Sequence, residues 1–239
     1  MKFSVENLLV LDIETVRSYK LYEEMPERLQ AQWDRKASFL KANEETSPKD
    51  LFEDRGGIYA EFGKIVAISV GFFTHNGPEL SLRVKGFYGK DEAVILSEFN
   101  ELLQKFDSRS LILCGHNGKE FDFPYLSRRM LVNNITLPAV LDTTSKKPWE
   151  VNHIDTMELW KFGDRKNFTS LELLAALFDI PTSKDGIDGS QVSTVYYEEE
   201  DVERIAKYCS KDVVVTAQLL LKLNQQQIIK EENIHIIEN

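Results

Sequence analysis

Two carboxylates stand two residues apart at the end of an apolar run, Leu8-Leu9-Val10-Leu11-Asp12-Ile13-Glu14-Thr15. The run predicts a strand buried on both faces, and side chains at i and i+2 of a strand point the same way. Asp12 and Glu14 then converge at one strand end. Like charges held close in a partly dry site repel strongly unless a cation lies between them. Taken alone, the segment has two readings: a divalent-metal site, or a strand leaving for solvent.

Two further patterns carry chemistry. Gly115-His116-Asn117-Gly118-Lys119-Glu120-Phe121-Asp122 follows the short apolar run Leu111-Ile112-Leu113-Cys114, and Tyr208-Cys209-Ser210-Lys211-Asp212 lies inside a long helical pattern. Tyr208 and Asp212 are four residues apart, so a helix turns both to one side. Tyr-x-x-x-Asp alone recurs by chance; the ordered triple with fitting local structure is the specific signal.

The three motifs together, in order from Asp12 to Asp212, resemble those of the DEDDy 3′–5′ exonucleases, in particular the proofreading exonuclease domain of family B DNA polymerases and its stand-alone bacterial relatives. The resemblance implies an α/β ribonuclease H-like fold, a mixed central sheet flanked by helices. It implies catalytic roles for Asp12, Glu14, Asp122, Tyr208 and Asp212, and two divalent ions, Mg²⁺ or Mn²⁺, held by the four carboxylates. Asp12 would bridge both ions, Glu14 and Asp212 would complete the tighter site, and Asp122 would hold the second mainly through waters. One ion would aim a water at the terminal phosphodiester and the other would stabilise the departing 3′ oxygen. A phenol is a poor free base, so Tyr208 is expected to orient that water.

By the same resemblance the backbone around Thr15 meets the terminal 3′-hydroxyl, Asn117 lies near the scissile end, and Phe121 packs against a terminal sugar or base. Phe121 also reads as a core residue anchoring its helix. The implied partner is nucleic acid with a free 3′ end, single-stranded DNA first, with nucleoside 5′-monophosphates as products. Two other readings stand beside it: an exoribonuclease acting on RNA or short oligoribonucleotides, because recognition of the 2′-hydroxyl is not visible in the sequence, and an inactive nuclease-like scaffold. Retention of all five motif residues argues against the scaffold.

The net charge of −10 runs against ordinary nucleic-acid binding. Divalent cations can themselves be the electropositive centre that a phosphate meets. Basic clusters occur at Arg128-Arg129, at Lys146-Lys147-Pro148-Trp149, and from Lys161 to Lys166 with Phe162 and Phe168 interleaved, each read singly as a solvated face. His116 and His153 read as structural, Asp155, Asp185 and Asp188 as turn or strand-end residues, and Lys184 as a weak candidate for a phosphate contact. Two cysteines are too few for a disulfide framework or zinc cluster, and no stretch approaches a membrane span, so the cytoplasm is the expected setting with no membrane partner.

The elements that must position these residues follow from periodicity. After the first strand, residues 21–40 carry Tyr22, Met25, Leu29, Trp33, Ala37 and Leu40 at helical steps, expected to pack against the sheet. Residues 46–57, with Ser-Pro and Gly-Gly, read as turn or disorder. A strand over 64–73, a hairpin partner over 80–88, a helix opened by Asp91, a strand over 111–114 and a helix over 120–131 come next. A short helix over 170–178 and a long helix from about Glu198 into the C-terminal tail complete the chain. This predicts a single exonuclease domain over 1–239, with a helical insertion at about 18–57 and an extended C-terminal helix or tail at about 225–239. No polymerase segment follows the third motif, so proofreading in cis is not expected, whereas editing beside a separate, unidentified protein remains open.

Overall fold

The run that carries Asp12 and Glu14 is strand β1, Leu8–Arg17, in a computed structural model that describes residues 5–40, 46–107, 110–164, 168–182 and 187–237. The other strands are β2 (Gly63–Asn76), β3 (Glu79–Tyr88), β4 (Ile112–Gly115), β5 (Ile154–Asp155) and β6 (Ile234–Ile237). Among the described residues they form one six-stranded sheet in the order β5-β4-β1-β2-β3-β6. The hairpin forces antiparallel pairing of β1 with β2 and of β2 with β3; β4 on β1, β5 on β4 and β6 on β3 are parallel. The mixed α/β sheet is the one the sequence predicts. No helix among the described residues is long and apolar enough to cross a membrane.

Alternation along β1 decides what the carboxylates meet. Leu9, Leu11 and Ile13 face a core shared with helices α3 (Glu92–Leu103) and α4 (Asp122–Val132) through Leu96, Phe99, Leu126 and Met130. Leu8 and Val10 point the other way, to Val213, Ala217 and Leu220 of the long helix α8 (Val202–Leu223), and Val16 meets Ile205 and Cys209 of the same helix. Asp12 and Glu14 share that parity and therefore lie against α8. The helix sits close to the sheet because the facing residues are small. A Cβ on Gly71 would come within 2.7 Å of Val213 Cγ1, and the buried hydroxyls of Ser69 and Ser210 are 3.0 Å apart.

Several local expectations are corrected. Residues 21–40 are not one helix: a 3₁₀ turn, Tyr22–Glu24, precedes Pro26, and α1 runs Glu27–Leu40. Residues 46–57 are not a loose turn. Ser47 and Pro48 are the N-cap and first residue of α2 (Pro48–Arg55): the Ser47 hydroxyl accepts from Asp50 N–H at 3.1 Å, while the Asp50 carboxylate accepts from Ser47 N–H at 3.2 Å. α1 packs on α2 rather than directly on the sheet, with Trp33 wedged against Phe52 and Phe62 at centroid distances of 5.4 and 5.0 Å. The 3₁₀ turn Gly56–Ile58 then ties this unit to the sheet, since the Gly57 carbonyl accepts from Thr15 Oγ1 and from Tyr125 Oη, each at 2.9 Å.

Further along, α5 (Thr156–Lys161) and α6 (Leu171–Leu177) follow β5, and α7 (Val192–Thr194) leads into a π-helical turn, Val195–Glu199. The long helix begins at Val202, not near Glu198. Glu200 adopts a left-handed conformation (φ 56°) that breaks the chain, and the Asp201 carboxylate caps α8 by accepting from Arg204 N–H at 3.0 Å. α8 ends at Leu223, and the Ile-rich tail is the edge strand β6 rather than more helix. Arg129, read with Arg128 as a basic surface, is buried: its guanidinium meets the Glu92 carboxylate at 2.6 Å and donates to the Ala60 carbonyl at 2.9 Å.

The close seat of α8 gives a stability test. Gly71→Val forces side-chain atoms into Val213 and should cost about 1–3 kcal/mol, lowering Tm by roughly 3–10 °C. Adding Val213→Ala should return part of that loss, measured as a positive coupling in a double-mutant cycle. Strictly additive losses would show that the two residues do not share the contact.

Candidate active site

Three segments bring their carboxylates together along β1, which runs on to Arg17, so that Asp12 and Glu14 lie within the strand and not at its end as the sequence suggested. Asp12 and Glu14 come from the strand. Cys209 of α8 reaches down to them, its thiol donating to the Asp12 carbonyl at 3.4 Å and to Asp12 Oδ2 at 3.3 Å. The nearest ligand atoms of Asp12, Glu14 and Cys209 all lie within 4.8 Å of one another. Tyr208 and Asp212 lie one turn apart on α8, close enough for the phenol and the carboxylate to shift each other's titration. Asp122 arrives as the first residue of α4. β4 pairs with β1 only at Leu8–Val10, which leaves the next stretch of that edge open, and Asp122 Oδ1 accepts from Ile13 N–H at 3.0 Å. The carboxylate is thereby clipped to the backbone between Asp12 and Glu14.

The electrostatics are those of crowded anions. Burial pushes the Asp12 carboxyl well above the usual carboxylate range, and the charges of Asp122, Glu14 and Asp212 push it further; Glu14 is raised by burial and then by Asp212 and Asp122. Asp122 is pushed up to about 7 by burial, against two backbone N–H donors that favour its charge. Asp212 is pushed up to about 6 by burial, against the nearby Tyr208 phenol, which favours its charge. The Tyr208 phenol is raised above its ordinary value by burial and by Asp212, Glu14 and Asp12. It stays protonated at neutral pH, beside Asp212.

The donor set fits a hard divalent cation. It consists of carboxylate oxygens from separated segments, and the charged neighbours acting on Asp12 are all carboxylates whose repulsion a cation would relieve. Asp12 is the residue on which the other three act.

The remaining sequence-predicted residues are placed as follows. Thr15 adjoins a β-bulge after Glu14, with its hydroxyl tied to Gly57. Asn117 takes a left-handed conformation (φ 64°), which Asn tolerates better than most side chains. Phe121 is half-buried, its ring 5.4 Å from that of Tyr125 and packed against the main core. His116 is spent on structure, one ring nitrogen 2.8 Å from Thr156 Oγ1 and the other 2.9 Å from the Thr169 carbonyl. His153 is held at about 4 by burial and bonds Val140 through Nε2 at 3.0 Å. Asp188 caps a turn through Ser190 N–H at 2.8 Å. Asp185, Lys184 and Lys166 lie outside the described residues.

Two contributors were missed by sequence reasoning. Asp155, read as a strand-end residue, is buried and accepts from four backbone N–H groups: Asn117 and Met157 at 3.0 Å, Lys119 at 3.1 Å and Glu158 at 3.3 Å. It therefore fixes the loop that delivers Asp122 while capping α5. Cys209, inside the quoted Tyr-Cys-Ser-Lys-Asp stretch, was not assigned a contact; its helical position next to Tyr208 was the available signal.

Residues 58–235 match a family described as a predicted 3′–5′ exonuclease related to the exonuclease domain of PolB. The chain belongs to this family. The matched residues include Asp122, Tyr208 and Asp212, whereas Asp12 and Glu14 precede them. Among solved structures, the chain is similar to the family B DNA polymerase from the hyperthermophilic archaeon Pyrobaculum calidifontis, with 16% identity and a TM-score of 0.52 over 95% of this chain and 27% of the polymerase. That likeness is one of fold and supports the ribonuclease H-like assignment. The chain spans about a quarter of the polymerase's length.

The raised carboxylates fix the sign of a pH effect. A carboxyl that titrates higher in the folded state than its ordinary value near 3.8 binds its proton more tightly when folded, so stability is fully present below that value and declines as pH rises toward about 6 for Asp212 and about 7 for Asp122. In chelator, Tm should fall by roughly 5–10 °C between about pH 4.5 and pH 7.5, and Asp212→Asn should flatten the fall. A Tm in chelator that rises over this window would show that the carboxylates are not strained.

Proposed function

We propose that this chain is a divalent-metal-dependent 3′–5′ exonuclease that acts as one catalytic domain on single-stranded DNA and releases nucleoside 5′-monophosphates. The observation that carries the proposal is the convergence of Asp12, Glu14, Asp122 and Asp212 beside a protonated Tyr208. Asp12, Glu14, Asp122 and Asp212 would hold two ions, Mg²⁺ or Mn²⁺. When bound, these supply an activated water near neutral pH and a counter-charge for the departing 3′ oxygen.

The chain's own groups do the rest. Tyr208 keeps its proton and sits beside Asp212, and its oxygen lone pairs would accept a hydrogen bond from the attacking water, which orients that water without removing its proton. Asp122, fixed by Ile13 N–H, and Asn117, fixed by Asp155, put the second motif beside the first. The backbone near Thr15 and the ring of Phe121 would meet the terminal nucleotide, stacking being tolerant of sequence. Cys114 and Cys209 are free thiols, in keeping with a reducing cytoplasmic setting.

Degradation of a 5′-labelled oligonucleotide with Mn²⁺ is the direct assay. Asp12→Ala should abolish cleavage, and Tyr208→Phe should slow single-turnover cleavage by about 10²-fold while Mn²⁺ affinity stays near that of the wild type. Unslowed chemistry in Tyr208→Phe would make the tyrosine structural. One labelled strand presented alone, mismatched at its 3′ terminus or fully paired should be cut in that order of rate, because freeing a paired end costs a few kcal/mol. Equal rates on all three would contradict a single-strand site.

A further inference from the structure

Lys207 and Lys211 flank Tyr208 and Asp212 on α8 and repeat their i, i+4 spacing. Both line a cleft of about 720 Å³ that also takes in Tyr208 and Asp212, with the opening of α6 and the 187–191 turn as its other wall. Much of the basic charge around the site is committed: Lys20 pairs with Glu198, Lys90 with Glu200, Arg204 with Glu199 and Lys119 with Glu158. Neither Lys207 nor Lys211 forms an ion pair with a described residue, although Glu172, Asp188 and Asp212 line the same cleft. In a chain of net charge −10, two uncommitted ammonium groups beside the carboxylates are a local exception to a field that repels polyanions.

We propose that Lys207 and Lys211 bind two successive backbone phosphates of the substrate strand on the 5′ side of the scissile one. They would lay the strand along α8 so that its 3′ end reaches Asp12 and Asp212; the assignment rests on the exonuclease reading for its direction, not for the phosphate contacts. Four helical residues rise about 6 Å, a step that suits neighbouring phosphates of an extended single strand. Contacts of this kind carry no base information, so the strand is gripped without sequence preference. Both lysines also border a second cleft beside β3 and β6, so they stand between the two openings. These lysines act as positioning residues: they hold the strand and leave the chemistry to the carboxylates.

The test is a salt titration. Fluorescent oligo(dT) is bound in Ca²⁺ by the wild-type chain, by Lys207→Ala/Lys211→Ala, and by Lys105→Ala, a single-charge control just beyond α3 on the opposite side of the sheet. Each single-strand phosphate contact contributes about 0.7 to the slope of log K against log salt, so the double variant should lose about 1.4 in slope and bind roughly tenfold more weakly, while Lys105→Ala keeps the wild-type slope. With Mn²⁺, its loss should fall on KM rather than kcat. Weaker binding with an unchanged slope, unchanged binding, or a wild-type chain that does not bind the oligonucleotide would each overturn the proposal. A reduced slope in a chain that cleaves nothing would support the phosphate contacts and refute the exonuclease reading separately.

Discussion

Four carboxylates crowd the middle of one strand, and their repulsion is the constraint around which the rest of the molecule is arranged. Asp12 and Glu14 could be kept apart cheaply if β1 simply ended in water. Instead α8 lies across them, pressed down by the small residues Ser69 and Gly71, and adds Asp212 to the crowd. Asp122 is held in place by Ile13 N–H and cannot swing away without orphaning a buried donor. Such an arrangement destabilises the cation-free fold, and it makes sense where a divalent ion returns the lost stability on binding.

The supporting shell is built from ordinary interactions put to that use. Asp155 gathers four N–H groups at one corner and so sets the loop ahead of α4. The Gly57 carbonyl joins Thr15 and Tyr125, so the unit formed by α1 and α2 braces the strand just beyond Glu14. Cys209 donates to Asp12 from directly above it. Burial keeps the Tyr208 proton on its oxygen, so the residue stands beside the carboxylates as a neutral phenol.

The motif residues were legible in the sequence because their chemistry is local: a carboxylate at the end of an apolar run, a Tyr and an Asp one helical turn apart. The hairpin and the helices opened by Asp91 and Ser170 were legible for the same reason, since Asn76-Gly77 and the caps act within a few residues. What escaped depended on distant partners or on competing local signals. Ser47-Pro48 serves equally as a turn and as a helix start, and only Trp33, Phe52 and Phe62 packing together decide for the helix. Glu198 to Asp201 are good helix surface residues whose break at Glu200 is visible only in the fold. The tail's Ile residues form a strand because β3 offers an open edge, and Arg129 is buried because Glu92 waits for it across the core. Asp155 looked ordinary because a helix cap explains Met157 and Glu158, while its other two donors, Asn117 and Lys119, come from a loop far away in the sequence.

The central claim is that these carboxylates form one cation site, and Mn²⁺ titration calorimetry in buffers of different ionisation enthalpy tests it most directly. Near pH 6.5, binding should be saturable and should release protons, because Asp122, pushed up to about 7, must give its proton up; both the heat and the proton release should vanish in Asp12→Ala. Absence of saturable Mn²⁺ binding, or binding that persists unchanged in Asp12→Ala, would contradict the account.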